Sequence, residues 1–171
     1  MSKYLIRDMR ASDWEKVSRI YQNGMDTNIA TFQATSPTWD EFDIAHTQNC
    51  RYVILCEDTI IGWAALTPVS KRPVYAGVAE VSIYIDDEWK GMGIGYTLLT
   101  YLIEKSEQEG YWTLQSGILS ENSVSVRLHE KCGFRLVGYR EKLGKDRFGV
   151  WHDLLLMEKR SNLYKTSTSI P

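Results

Sequence analysis

The stretch that most constrains the fold runs from residue 80 to residue 95 and reads EVSIYIDDEWKGMGIG. Its first half alternates apolar and polar side chains, and a period of two is typical of a β-strand. Glycines then occupy positions 91, 93 and 95, and helically spaced apolar residues follow at once, at Tyr96, Leu99, Leu102 and Ile103. The sequence therefore predicts a strand, a glycine loop and a helix in direct succession.

A junction of this kind can bind an anion. The first N–H groups of a helix have no partner inside the helix, and glycines let a phosphate come close to the backbone. The loop lacks the Gly-Lys-Ser/Thr ending of a nucleoside-triphosphate loop, and its GxGxG spacing differs from the GxGxxG of dinucleotide folds. Taken alone, these residues also fit a flexible connection that binds nothing.

Length and composition favour one domain inside the cell. A chain of 171 residues can bury a core without a disulfide or a structural metal. Its 20 basic and 22 acidic side chains nearly cancel, so nothing indicates a nucleic acid or an anionic membrane as partner. No apolar run approaches the ~20 residues of a membrane helix, and the cysteines lack the spacing of a metal site. We expect a cytoplasmic protein with reduced thiols and no metal.

The remaining patterns predict the element order β-α-α-β-β-β-α-β-α-β-β, with no internal repeat. Ser12 and Glu15 have the spacing of a capping box that opens the first helix, and Ser36 before Pro37 marks the start of the second. This order indicates an α/β fold in which a mixed, mostly antiparallel sheet carries helices on both faces. We expect one domain over residues 1–160 and a flexible tail over residues 161–171.

Two motifs carry a family resemblance, KGMGIG at residues 90–95 and NSVSVRLHEKCGF at residues 122–134. They are similar to the acetyl-CoA signature and to the second motif of the GNAT superfamily of N-acetyltransferases, whose element order and fold also match residues 3–159. Lysine replaces the usual glutamine or arginine in the first position of the signature and lacks the planar fork of arginine. Within the superfamily, His129, the spacing of Arg72, Tyr75 and Glu80, and the segment WHD at residues 151–153 resemble the phosphinothricin acetyltransferases.

The resemblance implies that acetyl-CoA is the cosubstrate. Its pyrophosphate would lie on the loop residues Lys90, Gly91, Met92, Gly93, Ile94, Gly95 and Tyr96. Its pantetheine would run as an added strand beside the preceding strand, on the backbone of Ile83, Tyr84 and Ile85. Asn122 would hydrogen-bond the pantetheine arm, cap the helix that follows it, or do both.

Acetyl transfer to an amine needs a base, because an alkyl amine is almost fully protonated at pH 7. Glu80 is the candidate, acting directly or through a water, and the alternative is a carboxylate that only pairs with Arg72. A backbone N–H of the same strand could stabilise the oxyanion. The resemblance implies that His129 protonates the departing thiolate or belongs to the substrate site, whereas a histidine in this position is otherwise often packed in the core.

The resemblance also implies a small amino-acid-like acceptor, of the phosphinothricin or methionine sulfoximine type. Arg72 would bind its carboxylate beside Tyr75, and Phe32 would form an aromatic wall over it; for Arg72 the alternative is an exposed, solvated loop. The family norm is a homodimer. Three other functions stay open: an enzyme for a polyamine or a protein amino terminus, a non-catalytic acyl-CoA sensor, and a structural domain that binds no ligand.

Overall fold

The protein is represented by a computed structural model that describes residues 3–164. Its strands are β1 (Tyr4–Asp8), β2 (Tyr52–Cys56), β3 (Thr59–Pro68), β4 (Val78–Ile85), β5 (Thr113–Leu119), β6 (Arg135–Lys145) and β7 (Trp151–Arg160). Its α-helices are α1 (Trp14–Asp26), α2 (Trp39–Ala45), α3 (Ile94–Gln108) and α4 (Ser123–Lys131). This order confirms the predicted succession of strands and helices.

The strands form one mixed sheet in the order β1-β2-β3-β4-β5-β7-β6. Every neighbouring pair is antiparallel except β4 and β5, which are parallel. Helices α1 and α2 pack on one face, while α3 and α4 pack on the other. The predicted α/β fold with a mixed sheet between helices is confirmed. Across residues 3–164, no helix combines the length and the apolar character needed to cross a bilayer.

Two apolar clusters hold the helices on the sheet. On the α1 face, the fully buried Trp63 of β3 meets Tyr21 of α1 and Phe42 of α2, with ring centroids 5.0 and 5.5 Å away. On the other face, α3 buries three leucines against the sheet, Leu98, Leu99 and Leu102. Burial of one such side chain contributes about 1.5–3 kcal/mol, so both clusters fix the strands that build the site.

The first helix begins at a different residue from the predicted one. Asp13, rather than Ser12, caps the turn before α1: its carboxylate accepts the N–H of Arg10 at 2.8 Å and both terminal nitrogens of Arg7 at 2.8 and 2.9 Å. The Arg7 guanidinium lowers the pKa of this carboxyl against the effect of burial. The spacing of Ser12 and Glu15 could not indicate this ion pair, because Arg7 lies in β1.

The second helix also begins later than predicted. Thr38, not Ser36, is the N-cap of α2, and its hydroxyl accepts the N–H of Glu41 at 3.3 Å. Glu41 returns the bond by accepting the N–H of Thr38 at 2.8 Å. This reciprocal capping box satisfies two groups at the helix start, which a lone serine before a proline does not.

The central pair of strands separates part-way along its length. Strands β4 and β5 pair at only three register positions, the last of which joins Glu80 to Gln115. Beyond it, residues 81–85 and 116–119 have no ladder between them. We call the resulting gap the fork, and the Glu80–Gln115 pair its vertex. A parallel sheet that opens in this way leaves main-chain donors and acceptors unpaired on both arms.

The register with β3 decides which backbone groups of β4 face the fork. The N–H of Asp86 donates to the carbonyl of Ile61 at 2.9 Å, so residues of even number turn their backbone towards β3. Val81, Ile83 and Ile85 therefore direct their N–H and C=O groups into the fork.

The described chain ends in packed residues. Ser161 is buried, and its N–H donates to the carbonyl of Trp112 at 2.9 Å. Residues 162–164 form one 3₁₀ turn. The predicted tail therefore starts with ordered contacts at residues 161–164, and its remainder, residues 165–171, lies outside the described residues.

Candidate functional site

The loop before α3 presents a row of backbone N–H groups. Gly91 and Gly93 have φ angles of 77° and 80°, in the left-handed region that other residues rarely adopt. Gly93 is the N-cap of α3, which begins at Ile94 and not at the predicted Tyr96. In the part of the chain that the structure describes, the N–H groups of residues 91–96 have no protein acceptor. Six consecutive donors at a helix start form a site for an anion.

Two lysines lie beside this loop. Lys90 forms an ion pair with Asp87 at 2.5 Å, which partly balances its charge. Lys131, the last residue of α4, places its Nζ 4.6 Å from the ring centroid of Tyr96. Sequence reasoning missed Lys131 because only the packing of α4 on α3 brings it to the loop.

Asp86 anchors the start of the loop to α1. Its carboxylate accepts from Lys16 Nζ at 2.7 Å and from the N–H of Glu88 at 3.2 Å. Burial works to raise the pKa of Asp86, but the Lys16 ammonium and the Glu88 N–H together lower it. The ionised pair thus holds the end of β4 in place, which fixes the direction in which the loop leaves the fork.

Of the three strand residues predicted to bind the cofactor, two offer their backbone to the fork and one does not. Ile83 and Ile85 face it, whereas the backbone of Tyr84 belongs to the ladder with β3. The Tyr84 ring stacks on Trp63 at 5.0 Å and contacts Tyr21 at 4.8 Å, and burial raises the pKa of its hydroxyl. Tyr84 is therefore corrected from a cofactor contact to a core residue, because the alternation of a strand forbids all three assignments at once.

The vertex of the fork carries a carboxylate that an amide holds. Gln115 Nε2 donates to Glu80 Oε2 at 3.0 Å. Because Ala79 and Val81 pack in the α3 cluster, Glu80 projects from the opposite face, on the side of α1. Among residues 3–164 Glu80 forms no ion pair, so the alternative pairing with Arg72 is not present. One oxygen of Glu80 remains for a further partner.

His129 is buried with one ring nitrogen paired. Its Nδ1 lies 2.7 Å from the carbonyl oxygen of Ser125, which can only accept, so Nδ1 carries the proton. Its Nε2 is buried and has no partner in the described residues, and the ring packs on Phe134 at 4.9 Å. Burial lowers the pKa of His129 although the Ser125 carbonyl opposes the shift. In the neutral ring with Nδ1 protonated, Nε2 is an acceptor without a partner among the described residues, and the two predicted roles of His129, as the acid or in the substrate site, stay predictions.

Asn122 begins α4 on the β5 side of the fork. Its Oδ1 accepts the N–H of Ser125 at 3.2 Å, so the predicted capping is present. Within residues 3–164 no acceptor receives its Nδ2 donors. Asn122 can therefore cap the helix and donate to a ligand at the same time.

A buried histidine ties the start of α4 to the β6–β7 turn. His152 Nδ1 lies 2.9 Å from Glu121 Oε1, and Nε2 lies 2.8 Å from Asp146 Oδ2. The Asp146 carboxylate raises the pKa of His152, burial opposes the rise, and Glu121 adds to it. Two carboxylates on two ring nitrogens hold the charged imidazolium form.

Residues 27–38 lead from α1 across to the β6–β7 hairpin. Arg147 Nε donates to Asn28 Oδ1 at 3.1 Å, which ties the loop to the hairpin turn. Phe32 packs against the His152 ring at 6.0 Å and over Gly144, where a Cβ would lie 3.0 Å from the phenyl ring. Phe32 is thus placed on the β7 side and on the face of the sheet that also carries Glu80.

A groove of about 440 Å³ opens beside the vertex. Tyr75, from the segment between β3 and β4, forms part of one wall, and Gln115 reaches its floor. The guanidinium of Arg72 lies 5.6 Å from the Tyr75 ring at the exposed rim. The structure therefore brings Glu80, Gln115 and Tyr75 to one place, with Arg72 at its edge.

The loop, the fork and α4 fall within the part of the chain that matches a known family. Residues 11–134 match the model described as the Acetyltransferase (GNAT) family. The chain belongs to this family. The GNAT relatives include the L-methionine sulfoximine/L-methionine sulfone acetyltransferase of Pseudomonas aeruginosa, which is 27% identical over 161 residues, or 90% of this chain and 92% of that protein.

Two further comparisons agree with the family. The phosphinothricin N-acetyltransferase of Streptomyces viridochromogenes is 30% identical over 154 residues, which cover 87% of this chain and 83% of that one. The phosphinothricin acetyltransferase of Sinorhizobium meliloti, solved in complex with acetyl-CoA, superimposes with a TM-score of 0.83 at 26% identity, over 99% of this chain and 96% of that one. The GNAT fold predicted from the sequence is confirmed, and the enzyme is an acyltransferase by family.

Sequence reasoning about this GNAT acetyltransferase missed one residue at the centre of the site. Gln115 bonds Glu80, yet the alternation of YWTLQSGI at residues 111–118 predicted only a strand, without a role for its polar positions. A polar side chain in a strand between apolar neighbours was the available signal, because such a side chain needs a partner when the strand is central.

Proposed function

We propose that this GNAT enzyme transfers the acetyl group of acetyl-CoA to the amino group of a small amino-acid-like acceptor, of the phosphinothricin or methionine sulfoximine type. The observation that carries the proposal is the fork, which leads to a loop with six unpaired N–H groups. A cosubstrate with an extended arm that ends in a diphosphate fits both features, because the arm can pair with the strand in the fork and the diphosphate can bind the N–H groups of the loop. The names of the relatives and the acetyl-CoA complex of the Sinorhizobium meliloti enzyme support both substrates.

The residues around the fork offer a suitable binding group for each part of acetyl-CoA. The N–H groups of residues 91–96 would bind the pyrophosphate, with Lys90 adding positive charge. Ile83 and Ile85 would pair through their backbone with the amides of the pantetheine arm, and Asn122 would donate from Nδ2. Bound acetyl-CoA would supply a thioester carbonyl as the acetyl donor.

Glu80 is the proposed base. The acceptor arrives as an ammonium at pH 7 and must lose a proton before its nitrogen can attack. Gln115 holds one oxygen of Glu80 at the vertex, which leaves the other to take that proton directly or through a water. A backbone N–H of Val81 or Ile83 would donate to the developing oxyanion.

His129 is proposed to act in binding and not as the acid. In the neutral ring whose Nδ1 donates to the Ser125 carbonyl, Nε2 is a hydrogen-bond acceptor. An unpaired buried acceptor is unfavourable by about 1–3 kcal/mol. A bound substrate that donates to Nε2 would remove this penalty.

The acceptor would enter from the α1 face, where Phe32, Arg72 and Tyr75 lie. Phe32 stands on the hairpin side of the sheet, away from the residues that line the groove, and Tyr75 forms part of the groove wall. Arg72 at the rim would attract the carboxylate of an amino acid. Near-zero net charge and the Arg72 guanidinium favour an acidic or zwitterionic acceptor over a polyamine.

We also propose a homodimer in the cytoplasm. The edge strand β6 exposes apolar side chains that a second copy could cover, among them Leu136, Val137 and Tyr139. Covering an exposed edge removes unpaired main-chain groups as well as apolar surface. Light scattering at micromolar concentration would show a mass near twice that of the chain, and a monomer would reject this part of the proposal.

The direct test is thiol release from acetyl-CoA in the presence of a panel of amines. Phosphinothricin, methionine sulfoximine and methionine sulfone should release thiol faster than spermidine or a peptide with a free amino terminus. Calorimetric titration with coenzyme A runs in parallel. Binding without turnover on any amine would favour an acyl-CoA sensor, and absence of binding would reject the fork as the cosubstrate site.

A further inference from the structure

The groove beside the vertex has a preformed wall. Trp112 and Thr113 donate their N–H groups to the carbonyl of Gly77, at 2.8 and 3.1 Å, which ties the segment before β4 to the start of β5. Gly77 has no Cβ, and an added one would collide with the Trp112 ring. These contacts hold the wall that carries Tyr75 against the sheet without any ligand. Its volume of about 440 Å³ lies within the usual range for small-molecule sites.

The floor of the groove carries one cation. Of the described residues that line it, only Arg160 of β7 is a lysine or an arginine, and Glu158 is the only carboxylate. Arg160 lies 3.4 Å from Glu158 Oε1, an oxygen that Arg135 already binds at 2.6 Å. A guanidinium has five N–H donors in a planar fork, so a long, shared contact leaves Arg160 able to bind a carboxylate with two of them.

Arg160 stands at a suitable distance from the proposed base. It is the register partner of Thr113, while Gln115 is the register partner of both Glu80 and Glu158. Arg160 and Glu80 lie on strands with β5 between them, so two strand spacings and two residues separate their Cα atoms by about 12 Å, which two long side chains can span. The carboxylate and the amino group of an α-amino acid share one carbon, so an acceptor whose carboxylate binds Arg160 would hold its amino group over Gln115, on the side of Glu80.

We propose that Arg160 binds the carboxylate of the acceptor and so selects α-amino acids over amines that lack this group. The proposal rests on the acetyltransferase function proposed above and extends it to a residue at the far end of β7. Arg72 differs from Arg160 in position, because it stacks on Tyr75 and is not among the residues that line the groove, whereas Arg160, itself half-exposed, lines it. Arg72 attracts the acceptor to the groove, and Arg160 fixes its orientation there.

The test compares L-methionine sulfone with its carboxamide, which keeps the amino group and loses the negative charge. Arg160→Gln should raise KM for the acid by about 10- to 100-fold, the range expected for a charge-assisted pair. It should leave kcat and the KM of the carboxamide within about twofold, and Arg160→Lys should restore part of the affinity. The matched control is Arg19→Gln on α1, because Arg19 also contacts a glutamate at 3.4 Å on the protein surface.

The results that would reject the role of Arg160 differ from those that would reject the proposed reaction. An unchanged KM for the acid in Arg160→Gln, or an equal rise for acid and carboxamide, would overturn the role of Arg160. If wild-type protein binds coenzyme A but releases no thiol with any amino acid, the proposed reaction fails instead. Calorimetric titration of L-methionine sulfone into the coenzyme A complex then still tests Arg160: weaker binding in the variant supports the site, and equal binding rejects it.

Discussion

Replacement of Gly93 by alanine tests the link between the glycine loop and the cosubstrate. Gly93 has φ of 80°, and an added Cβ would meet no atom within 4 Å. Steric overlap is therefore absent, and the cost comes from the left-handed backbone, which disfavours an L-residue by about 1–2 kcal/mol. For a chain of this length, such a loss lowers Tm by about 2–8 °C.

The same substitution should weaken coenzyme A binding by more than the loss of stability explains. The loop can relieve the strain by turning Gly93 out of the left-handed region, which redirects the N–H groups at the start of α3. Each charge-assisted hydrogen bond that is lost is worth about 1.5–3 kcal/mol, so Kd should rise by about tenfold or more.

Gly110 provides the matched control for this prediction. It has φ of 90° and the same open space around its Cα, but it lies beyond the other end of α3. Gly110→Ala should lower Tm by a similar amount and leave Kd unchanged within twofold. Both variants are measured by thermal denaturation and by calorimetric titration with coenzyme A. Equal Kd values for Gly93→Ala and the wild type would refute the assignment of the loop.

Three further predictions concern single side chains. Glu80→Gln should lower kcat by about 10²- to 10⁴-fold with unchanged coenzyme A affinity, and full turnover at neutral pH would remove Glu80 from the chemistry. The pKa of His152 is raised above its unfolded value of about 6.5, so its stabilising effect is complete below that pH and is lost as pH rises through the folded pKa. In urea titrations His152→Gln should therefore cost more stability at pH 6 than at pH 9, and a cost independent of pH would contradict the charged pair. Arg147→Ala releases residues 27–38 from the hairpin and should raise KM for the acceptor several-fold in steady-state assays, while an unchanged KM would separate this loop from the acceptor site.

The element order and the glycine loop were predictable because local patterns encode them. An alternating strand, left-handed glycines and a helical stripe follow one another without help from distant residues. The helix starts were less predictable, since the Asp13 carboxylate closes the turn before α1 by accepting from the N–H of Arg10 and from the side chain of Arg7, which lies in β1. The four-residue pattern from Ser12 to Glu15 cannot indicate a cap that depends on a side chain of the preceding strand.

The side chains of the site show where a motif stops being informative. The expected path of the pantetheine placed Tyr84 in the site and a motif placed His129 there, but the register with β3 turns the backbone of Tyr84 away, and the Ser125 carbonyl oxygen lies 2.7 Å from His129 Nδ1. Neither the strand register nor a proton position can be read from residue identity. Gln115 and Arg160 were missed for the same reason, because only the pairing of β5 with β4 and β7 brings them beside Glu80.

One pairing position controls both the fork and the groove. Glu80 and Gln115 close the parallel ladder, so the fork opens directly after them and the groove lies directly before them. A slip of β4 by one residue would exchange its two faces: Glu80 would enter the apolar α3 cluster, and Val81 would replace it at the vertex. The apolar residues Ala79 and Val81 forbid this slip, because both are buried in that cluster. The core packing of β4 thus determines the position of the proposed base, and the Gln115 hydrogen bond then selects its orientation.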